Sequence, residues 1–267
     1  MIARLAAAIP DGATVALAQD SVGVAMAVTR ELVRRGVRDL DLVGVPISGM
    51  QADVLIGAGC VRSIETSAVT LGEFGTAPRF AAALKAGTIR VLDSTCPAIH
   101  AALQAGQKGL PFMPLRGLIG TDLVRHRPDW KVIDNPFGAD DPIVLLPAIR
   151  PDFGLFHAPL ADRHGNVWIG RQRDLLTIAH ASQRSLVTVE AMTDDDLMGD
   201  ESRAAGVIPA IYVTHVALAP GGAKPLKFVG HYARDEAAVG RYAAMARTES
   251  GFREWLDQWL QADTVTA

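Results

Sequence analysis

Residues 153–170 read FGLFHAPLADRHGNVWIG, and this stretch is the strongest local evidence about the fold. It begins with a continuous apolar run that stops at Pro159, as expected for a strand buried on both faces. The polar residues 161–166 then form a turn, in which Gly165 can hold backbone of positive φ. The chain returns through the apolar residues 167–170. A buried strand that ends in such a turn is typical of α/β proteins, and the turn is a candidate site.

Composition places the chain among globular proteins. Of its 267 residues, 49% are hydrophobic and 21% are charged, which is enough apolar material for a large core. The formal net charge of −3 gives no basic footprint for a nucleic acid or an anionic membrane. Two cysteines, Cys60 and Cys96, are too few for a disulfide scaffold and fit a reducing compartment. We therefore expect a cytoplasmic protein that binds neither nucleic acid nor membrane.

Short apolar strands alternate with helical patterns along most of the chain. The predicted strands are residues 14–18, 40–45, 61–66, 88–92, 143–146, 153–157, 185–189 and 211–218. The predicted helices are residues 1–10, 24–35, 78–86, 97–107, 173–181, 235–248 and 251–260, and a further short segment covers residues 54–58. This alternation predicts an α/β fold: a three-layer open sandwich with a mostly parallel sheet and helices on both faces. We expect residues 1–267 to form one domain.

Two segments depart from this rhythm. Residues 109–141 are rich in proline and glycine and show no sustained period, which predicts a long ordered loop with a functional or partner-binding role. The last helix places Phe252, Trp255, Leu256, Trp259 and Leu260 on one face. That apolar stripe either packs on the core of the chain or contacts a partner.

No standard catalytic or metal motif is present in the sequence. It contains no Gly-x-Ser-x-Gly, no P-loop and no His-Glu-x-x-His, and its seven histidines are scattered without ligand spacing. Residues 71–78 (LGEFGTAP) are more informative, because two glycines bracket an acid and an aromatic residue directly after a strand. Backbone N–H groups there could bind a carboxylate or thioester. Equally, the segment could be a tight turn with Glu73 near a helix start.

Two further candidates follow. Asp93-Ser94-Thr95-Cys96 ends a predicted parallel strand, the place where ligands of open α/β sheets gather, although Asp93 or Ser94 could simply cap the next helix. Arg116 follows an apolar, proline-stiffened segment. Its guanidinium could clamp a carboxylate ligand or pair with an acid of the chain itself.

In this order, several segments resemble the alpha (A) subunit of family I coenzyme A transferases, most closely the glutaconate CoA-transferase A branch. The matching segments are residues 11–15 (DGATV), 53–62 (DVLIGAGCVR), 71–75 (LGEFG), 110–114 (LPFMP) with Arg116 and Gly117, Ala161 and Asp162 with residues 165–167 (GNV), 219–223 (APGGA), and Tyr232 with Asp235 and Glu236. Each match is modest, and their collinearity from residue 11 to residue 236 is specific. The resemblance implies the open α/β sandwich shared with sugar-phosphate isomerases.

The resemblance also implies an activity and a partner. In this family a glutamate attacks an acyl-CoA thioester, and CoA passes through a glutamyl-CoA intermediate to an acceptor carboxylate. That glutamate normally lies on a homologous B subunit, so we name no nucleophile in this chain. CoA and carboxylic acids are substrates, and we expect no permanently bound cofactor and no metal. The residues expected to contact substrate are Ser21, Gly72, Glu73, Phe74, Gly75, Cys96 and Arg116.

Two alternatives remain open. Some members of the same branch hydrolyse a cyclic CoA thioester, and they tend to carry an acid where this chain has residues 93–96. Cys96 departs from that acidic pattern and makes the hydrolase the second hypothesis. A third hypothesis treats the chain as a structural or regulatory subunit whose partner performs all the chemistry. Asp162, Gly165 and Asn166 are then expected to fix a sharp return between strands rather than to form the site.

Overall fold

The computed structural model describes residues 1–262, which contain twelve strands and ten α-helices. The strands are β1 (Thr14–Ala18), β2 (Leu40–Val45), β3 (Val61–Thr66), β4 (Arg90–Asp93), β5 (Phe112–Leu115), β6 (Lys131–Asp134), β7 (Pro142–Pro147), β8 (Phe153–Asp162), β9 (Val167–Trp168), β10 (Arg184–Thr193), β11 (Val207–Ile208) and β12 (His215–Leu218). The helices are α1 (Ile2–Ala7), α2 (Met26–Arg34), α3 (Met50–Gly57), α4 (Pro78–Ala86), α5 (Cys96–Gln107), α6 (Leu123–His126), α7 (Arg173–Ala181), α8 (Glu201–Ala204), α9 (Glu236–Met245) and α10 (Glu249–Gln261).

The central sheet is parallel across seven strands in the order β12-β10-β8-β1-β2-β3-β4. Strand β1 lies near its middle and pairs Leu17 with Gly44 of β2 and with Leu155 of β8. The short strands β9 and β11 add an antiparallel extension beside the end of β8. The predicted α/β fold with a mostly parallel sheet is confirmed. All seven parallel strands therefore end at one edge of the sheet, where ligands of open α/β folds bind.

Helices cover both faces of this sheet because the strands are apolar on both sides. Successive residues of β1 point to opposite faces, so Val15 and Leu17 join one core while Ala16 and Ala18 join the other. The first core contains residues of α1, α2, α3, α9 and α10. The second contains residues of α5 and α7. The result is the predicted three-layer arrangement; that residues 1–267 are one domain stays a prediction.

The prediction of a long loop over residues 109–141 is wrong. Strands β5 and β6 lie in that segment and pair antiparallel with β7, which forms the middle of a three-stranded sheet. Each of the two strands has only four residues, and prolines interrupt the segment, so no period-2 pattern develops. This small sheet packs against α5 through Leu118, Trp130 and Val144.

Two smaller boundaries also differ from prediction. Helix α3 begins at Met50, whereas only residues 54–58 were predicted as a short segment. Residues 210–212 form a 3₁₀ turn, so β12 starts at His215 and not at residue 211. Both regions are apolar and short, and periodicity alone cannot distinguish a strand from a helix over so few residues.

A buried arginine fastens the small-sheet segment to the ends of the parallel strands. Arg127 Nη1 lies 2.9 Å from Glu65 Oε1 at the end of β3, and Nη2 lies 2.8 Å from Asp129 Oδ2. The same guanidinium donates to the Asp93 carbonyl at 3.0 Å and stacks over the Trp130 ring. Burial raises the pKa of Glu65, while the positive charge of Arg127 opposes that rise. One side chain thus joins β3, β4 and the inserted segment.

The turn after β8 is a structural device, as expected. Asp162 Oδ1 accepts the backbone N–H groups of His164 and Asn166, each at 2.9 Å, and Gly165 has a φ of +88°. Asp162 Oδ2 accepts from the Asn166 amide at 2.8 Å and from the Leu197 N–H at 3.2 Å. All four oxygen contacts are internal, so the carboxylate serves to close the turn.

The apolar stripe of the last helix packs on the chain itself. Phe252, Trp255 and Trp259 are buried in the first core, and Trp255 makes an edge contact with Tyr242 of α9. Tyr242 in turn donates a hydrogen bond to buried Asp53 of α3. The first of the two explanations for this stripe is therefore correct.

Candidate functional site

Asp20 follows β1 directly and is the most unusual acid at the carboxyl edge of the sheet. Its Oδ2 accepts the backbone N–H of Met50 at 3.0 Å, whereas its Oδ1 is buried without a hydrogen-bond partner among residues 1–262. A Cβ at Gly49 would lie 2.2 Å from Oδ2, so only glycine lets the backbone approach this carboxyl so closely. A buried oxygen with no partner is rare in native proteins and indicates a functional position.

Burial raises the pKa of Asp20 from 3.8 to about 6. The Met50 N–H and the positive charge of Arg234 oppose the rise, and the negative charge of Asp53 adds to it. The carboxyl therefore exchanges its proton close to neutral pH. Acids with such behaviour are concentrated in functional sites because both of their protonation states are accessible there.

Arg234 lies beside the predicted glycine-rich segment. Its Nε and Nη2 donate to the Glu236 carboxylate at 2.9 and 2.7 Å, and its guanidinium carbon lies 5.4 Å from the centre of the Phe74 ring. A Cβ on Gly72 would come within 3.3 Å of Arg234 Nη1, which also reaches the Leu71 carbonyl at 3.5 Å. The residues predicted at 72–75 and a cation far away in sequence thus meet at one place.

The negative charges around this guanidinium come from three parts of the chain. The hydrogen-bonded Glu236 is the largest cause of the raised pKa of Arg234, and the charges of Glu73 and Asp20 add to it. The two glycines of the segment, Gly72 and Gly75, have φ values of +67° and +87°, which explains their presence in the 3₁₀ turn.

A cavity of about 470 Å³ opens at this place and is called the rim cavity below. Its volume is within the range of small-molecule sites. The residues that line it are Asp20, Ser21, Leu226, Lys227, Ala233, Arg234 and Glu236. The cavity combines two carboxylates and two cations with an apolar wall, an arrangement that can hold a polar group of a small acid and move a proton at Asp20.

The structure brings together most of the predicted site residues. Ser21 lines the rim cavity, and Gly72 and Phe74 contact its Arg234 from the side. Cys96 lies at the same edge of the sheet, where its Sγ is 3.2 Å from the Ser67 Oγ beyond β3, but it does not line this cavity.

Arg116 is placed elsewhere. It lies on the small sheet, and its Nε and Nη2 bind the two carboxylate oxygens of Asp141 at 2.7 and 2.5 Å. Of the two alternatives considered for this arginine, the structure shows the pair with an acid of the chain. It lines a separate groove beside Phe137, whose surface is 96% exposed.

A second polar network was missed by the sequence analysis. Glu190, at the end of β10, accepts hydrogen bonds from the Tyr232 hydroxyl at 2.8 Å and the Gly221 N–H at 2.9 Å. Its Oε1 also lies 2.7 Å from Nε2 of His157, which is fully buried in β8. The Tyr232 hydroxyl accepts the Ala223 N–H at 3.1 Å. This network fastens the loop after β12 to the sheet and so positions the segment that carries Arg234.

The pKa values of this network follow from burial and pairing. Burial would raise the pKa of Glu190, but its hydrogen bonds from Gly221, His157 and Tyr232 outweigh burial and lower it. Burial lowers the pKa of His157 despite the neighbouring carboxylate, and burial together with Glu190 raises the pKa of Tyr232. Glu190 therefore stays an acceptor at neutral pH, as a structural anchor requires.

The sequence contained partial signals for these residues. Asp20 is a polar residue directly after a buried strand, and Tyr232 lay in a segment already noted for its resemblance. Within residues 1–262, no group of three or more His, Cys, Asp or Glu side chains could hold a metal ion. No helix in that part of the chain is long and apolar enough to cross a membrane.

Sequence comparisons match residues 1–219 to the family model described as coenzyme A transferase. The chain is 34% identical to the A subunit of 3-oxoadipate CoA-transferase from Pseudomonas knackmussii, over 94% of this chain and 89% of that protein. It is 30% identical to the A subunit of glutaconate CoA-transferase from Acidaminococcus fermentans, over 86% and 77% of the two chains. It is also 27% identical to the cholesterol ring-cleaving hydrolase IpdA subunit of Mycobacterium tuberculosis, over 88% and 83%.

Solved structures agree with these sequence matches. The crystal structure of glutaconate coenzyme A-transferase from Acidaminococcus fermentans superposes with a TM-score of 0.91 and 26% identity, covering 100% of this chain and 92% of that one. A variant of the decarboxylase AibA/AibB superposes with a TM-score of 0.85 and 28% identity, covering 97% of both chains. The fold is shared along the whole described chain, while the reactions named for these proteins differ.

Proposed function

The chain belongs to the coenzyme A transferase family, and from this premise we propose that it is the A-type half of a two-subunit CoA transferase. The enzyme moves CoA from an acyl-CoA to a carboxylic acid. The observation that carries the proposal is the rim cavity, in which Asp20, Ser21 and Arg234 meet beside the 72–75 segment at the carboxyl edge of the sheet. We also expect the enzyme to act in the cytoplasm.

The covalent chemistry is assigned to the B subunit. A glutamate carboxylate there attacks the acyl-CoA carbonyl, and the CoA thiolate leaves as an acyl-glutamyl anhydride forms. The thiolate then attacks the glutamyl carbonyl, which releases the first acid and leaves a glutamyl-CoA thioester. An acceptor carboxylate attacks that thioester and forms a second anhydride, from which the thiolate takes the acceptor acyl group as the new acyl-CoA. The glutamate carboxylate is thereby restored.

This chain shapes the pocket for the acid opposite the partner. Arg234 and Lys227 supply positive charge to the rim cavity, and Ser21 supplies a hydroxyl group. The 3-oxoadipate and glutaconate named for two relatives each carry a second carboxylate, so we propose an acid with a second polar group as substrate. That group would bind near Arg234, which now contacts the exposed Glu236 and can exchange this partner for a substrate carboxylate.

The test is co-expression with the B-type chain and measurement of CoA exchange between a labelled acyl-CoA and a free acid. We expect exchange by the complex and none by the purified chain alone. Arg234→Ala should raise KM for the acid by about tenfold to a hundredfold, because one charge-assisted contact is worth about 1.5–3 kcal/mol. Lys85→Ala, an exposed residue of α4, is the matched control and should leave KM unchanged.

Each alternative has its own outcome in the same assay. Water as the only acceptor would identify a CoA-thioester hydrolase, the activity named for the relative from Mycobacterium tuberculosis. Unchanged turnover after both Glu73→Ala and Arg234→Ala would indicate a structural subunit. Activity of the purified chain without a partner would contradict the two-subunit proposal.

A further inference from the structure

A second cavity of about 350 Å³ lies between the loop after β12 and helices α9 and α10, and is called the helix cavity below. Ala233 lines both cavities, whereas Arg234 lines only the rim cavity and Asp235 only the helix cavity. The two cavities therefore lie on opposite sides of one short segment. The residues that line the helix cavity are Arg30, Met50, Lys224, Pro225, Ala233, Asp235, Ala238, Arg241, Trp255, Gln258, Trp259 and Ala262.

Positive charge dominates the wall of the helix cavity. It contains Arg30, Lys224 and Arg241, against a single acid, Asp235. The carboxylate of Asp235 already caps α9 by accepting the Ala238 N–H at 2.9 Å. The guanidinium of Arg30 stacks 4.7 Å from the centre of the Trp259 ring, which holds this charge in place.

Trp259 provides an independent sign of a missing ligand. Its side chain lines the cavity and the residue is only 9% exposed, yet its indole Nε1 is buried without an acceptor among residues 1–262. Buried tryptophan N–H groups usually have a partner, because an unpaired buried donor costs about 1–3 kcal/mol. A ligand in this cavity with acceptor oxygens would supply that partner.

We propose that the helix cavity binds a phosphate monoester group of a small ligand. Three cations and one acid leave a net charge of about +2, which complements the charge of about −2 on a phosphate monoester at neutral pH. Phosphate oxygens accept hydrogen bonds from guanidinium forks and from an indole N–H alike. The group belongs either to CoA, which carries a phosphate monoester, or to a free phosphorylated compound. In the first case the inference rests on the proposed function.

The experiment measures binding of radiolabelled inorganic phosphate to the two-subunit complex by equilibrium dialysis, so it needs no turnover. The double variant Lys224→Ala/Arg241→Ala should weaken binding at least about tenfold, the loss expected for removing charged contacts. The control Lys85→Ala/Arg247→Ala removes the same two charges from exposed positions outside the cavity and should bind like the wild type. Trp259→Phe should weaken phosphate binding several-fold while the charges remain.

Competition then identifies the source of the phosphate group. If CoA displaces phosphate and dephospho-CoA does not, the cavity holds the CoA monoester. If neither displaces it, the ligand is a free phosphorylated compound. Equal phosphate affinity of the wild type and the Lys224→Ala/Arg241→Ala variant would overturn the inference, as would the absence of saturable binding. A complex that exchanges CoA but binds no phosphate here refutes the site and leaves the proposed function intact.

Discussion

Replacing Asp20 by Asn should stabilise the protein at high pH and leave its stability unchanged at low pH. The substitution keeps an oxygen that can accept the Met50 N–H and places an amide where Oδ1 now has no partner. A pKa that rises from 3.8 in the unfolded chain to about 6 in the folded chain corresponds to about 3 kcal/mol. Because solvent reaches part of the residue, we expect a gain of about 2–3 kcal/mol.

The sign follows from which state holds the proton. Below pH 3.8 the carboxyl is protonated in both states, so it contributes nothing to stability. Between pH 3.8 and about 6 the unfolded chain ionises while the folded chain does not, and stability falls as the pH rises. Above pH 6 the full cost of the buried charge is present, with Arg234 offsetting and Asp53 increasing it.

Urea unfolding of the wild type and Asp20→Asn at pH 4 and pH 8 measures this difference. Glu236→Gln removes an exposed carboxylate from the same cavity and controls for the loss of one charge. A gain at pH 8 that vanishes at pH 4 supports the reasoning. An equal change at both pH values, or a loss at pH 8, refutes it. In the complex, the same variant should abolish any activity limb near pH 6, since sites are often less stable than they could be.

Three other substitutions test different parts of the structure by urea unfolding. Arg127→Ala should cost about 3–5 kcal/mol, because it leaves Glu65 as an unpaired buried charge; a cost below about 1 kcal/mol would contradict the role given to this side chain. Glu190→Ala should cost about 1–3 kcal/mol for each buried donor left unpaired, the Tyr232 hydroxyl among them, and Glu190→Gln should recover part of it. Arg116→Ala should cost less than about 1 kcal/mol, since its ion pair is exposed, and a larger loss would show that the small sheet depends on it.

Local patterns predicted the parallel sheet well because each strand is a short apolar run between helices. Strands β1, β2 and β3 and helix α4 have the predicted bounds. The small sheet was not predicted, since its strands β5 and β6 are largely exposed and pair through β7, which is distant in sequence. No local period reports such a pairing.

The candidate site was predictable only in its local part. Residues 72–75 and Ser21 stood out by their position after strands and by resemblance. Arg234 lies more than 150 positions later in the chain, and nothing in the sequence around it points to Gly72. The high pKa of Asp20 likewise depends on Gly49, which is close only after β1 and β2 pair.

Asp53 has a consequence for how the molecule opens. Its carboxyl accepts the Phe80 N–H at 2.6 Å and the Tyr242 hydroxyl, so three helices, α3, α4 and α9, converge on one buried charge. Separating any one helix exposes an unpaired acid to the core. We therefore expect amide protons of all three helices to exchange with solvent through a common opening event, with similar protection, rather than helix by helix.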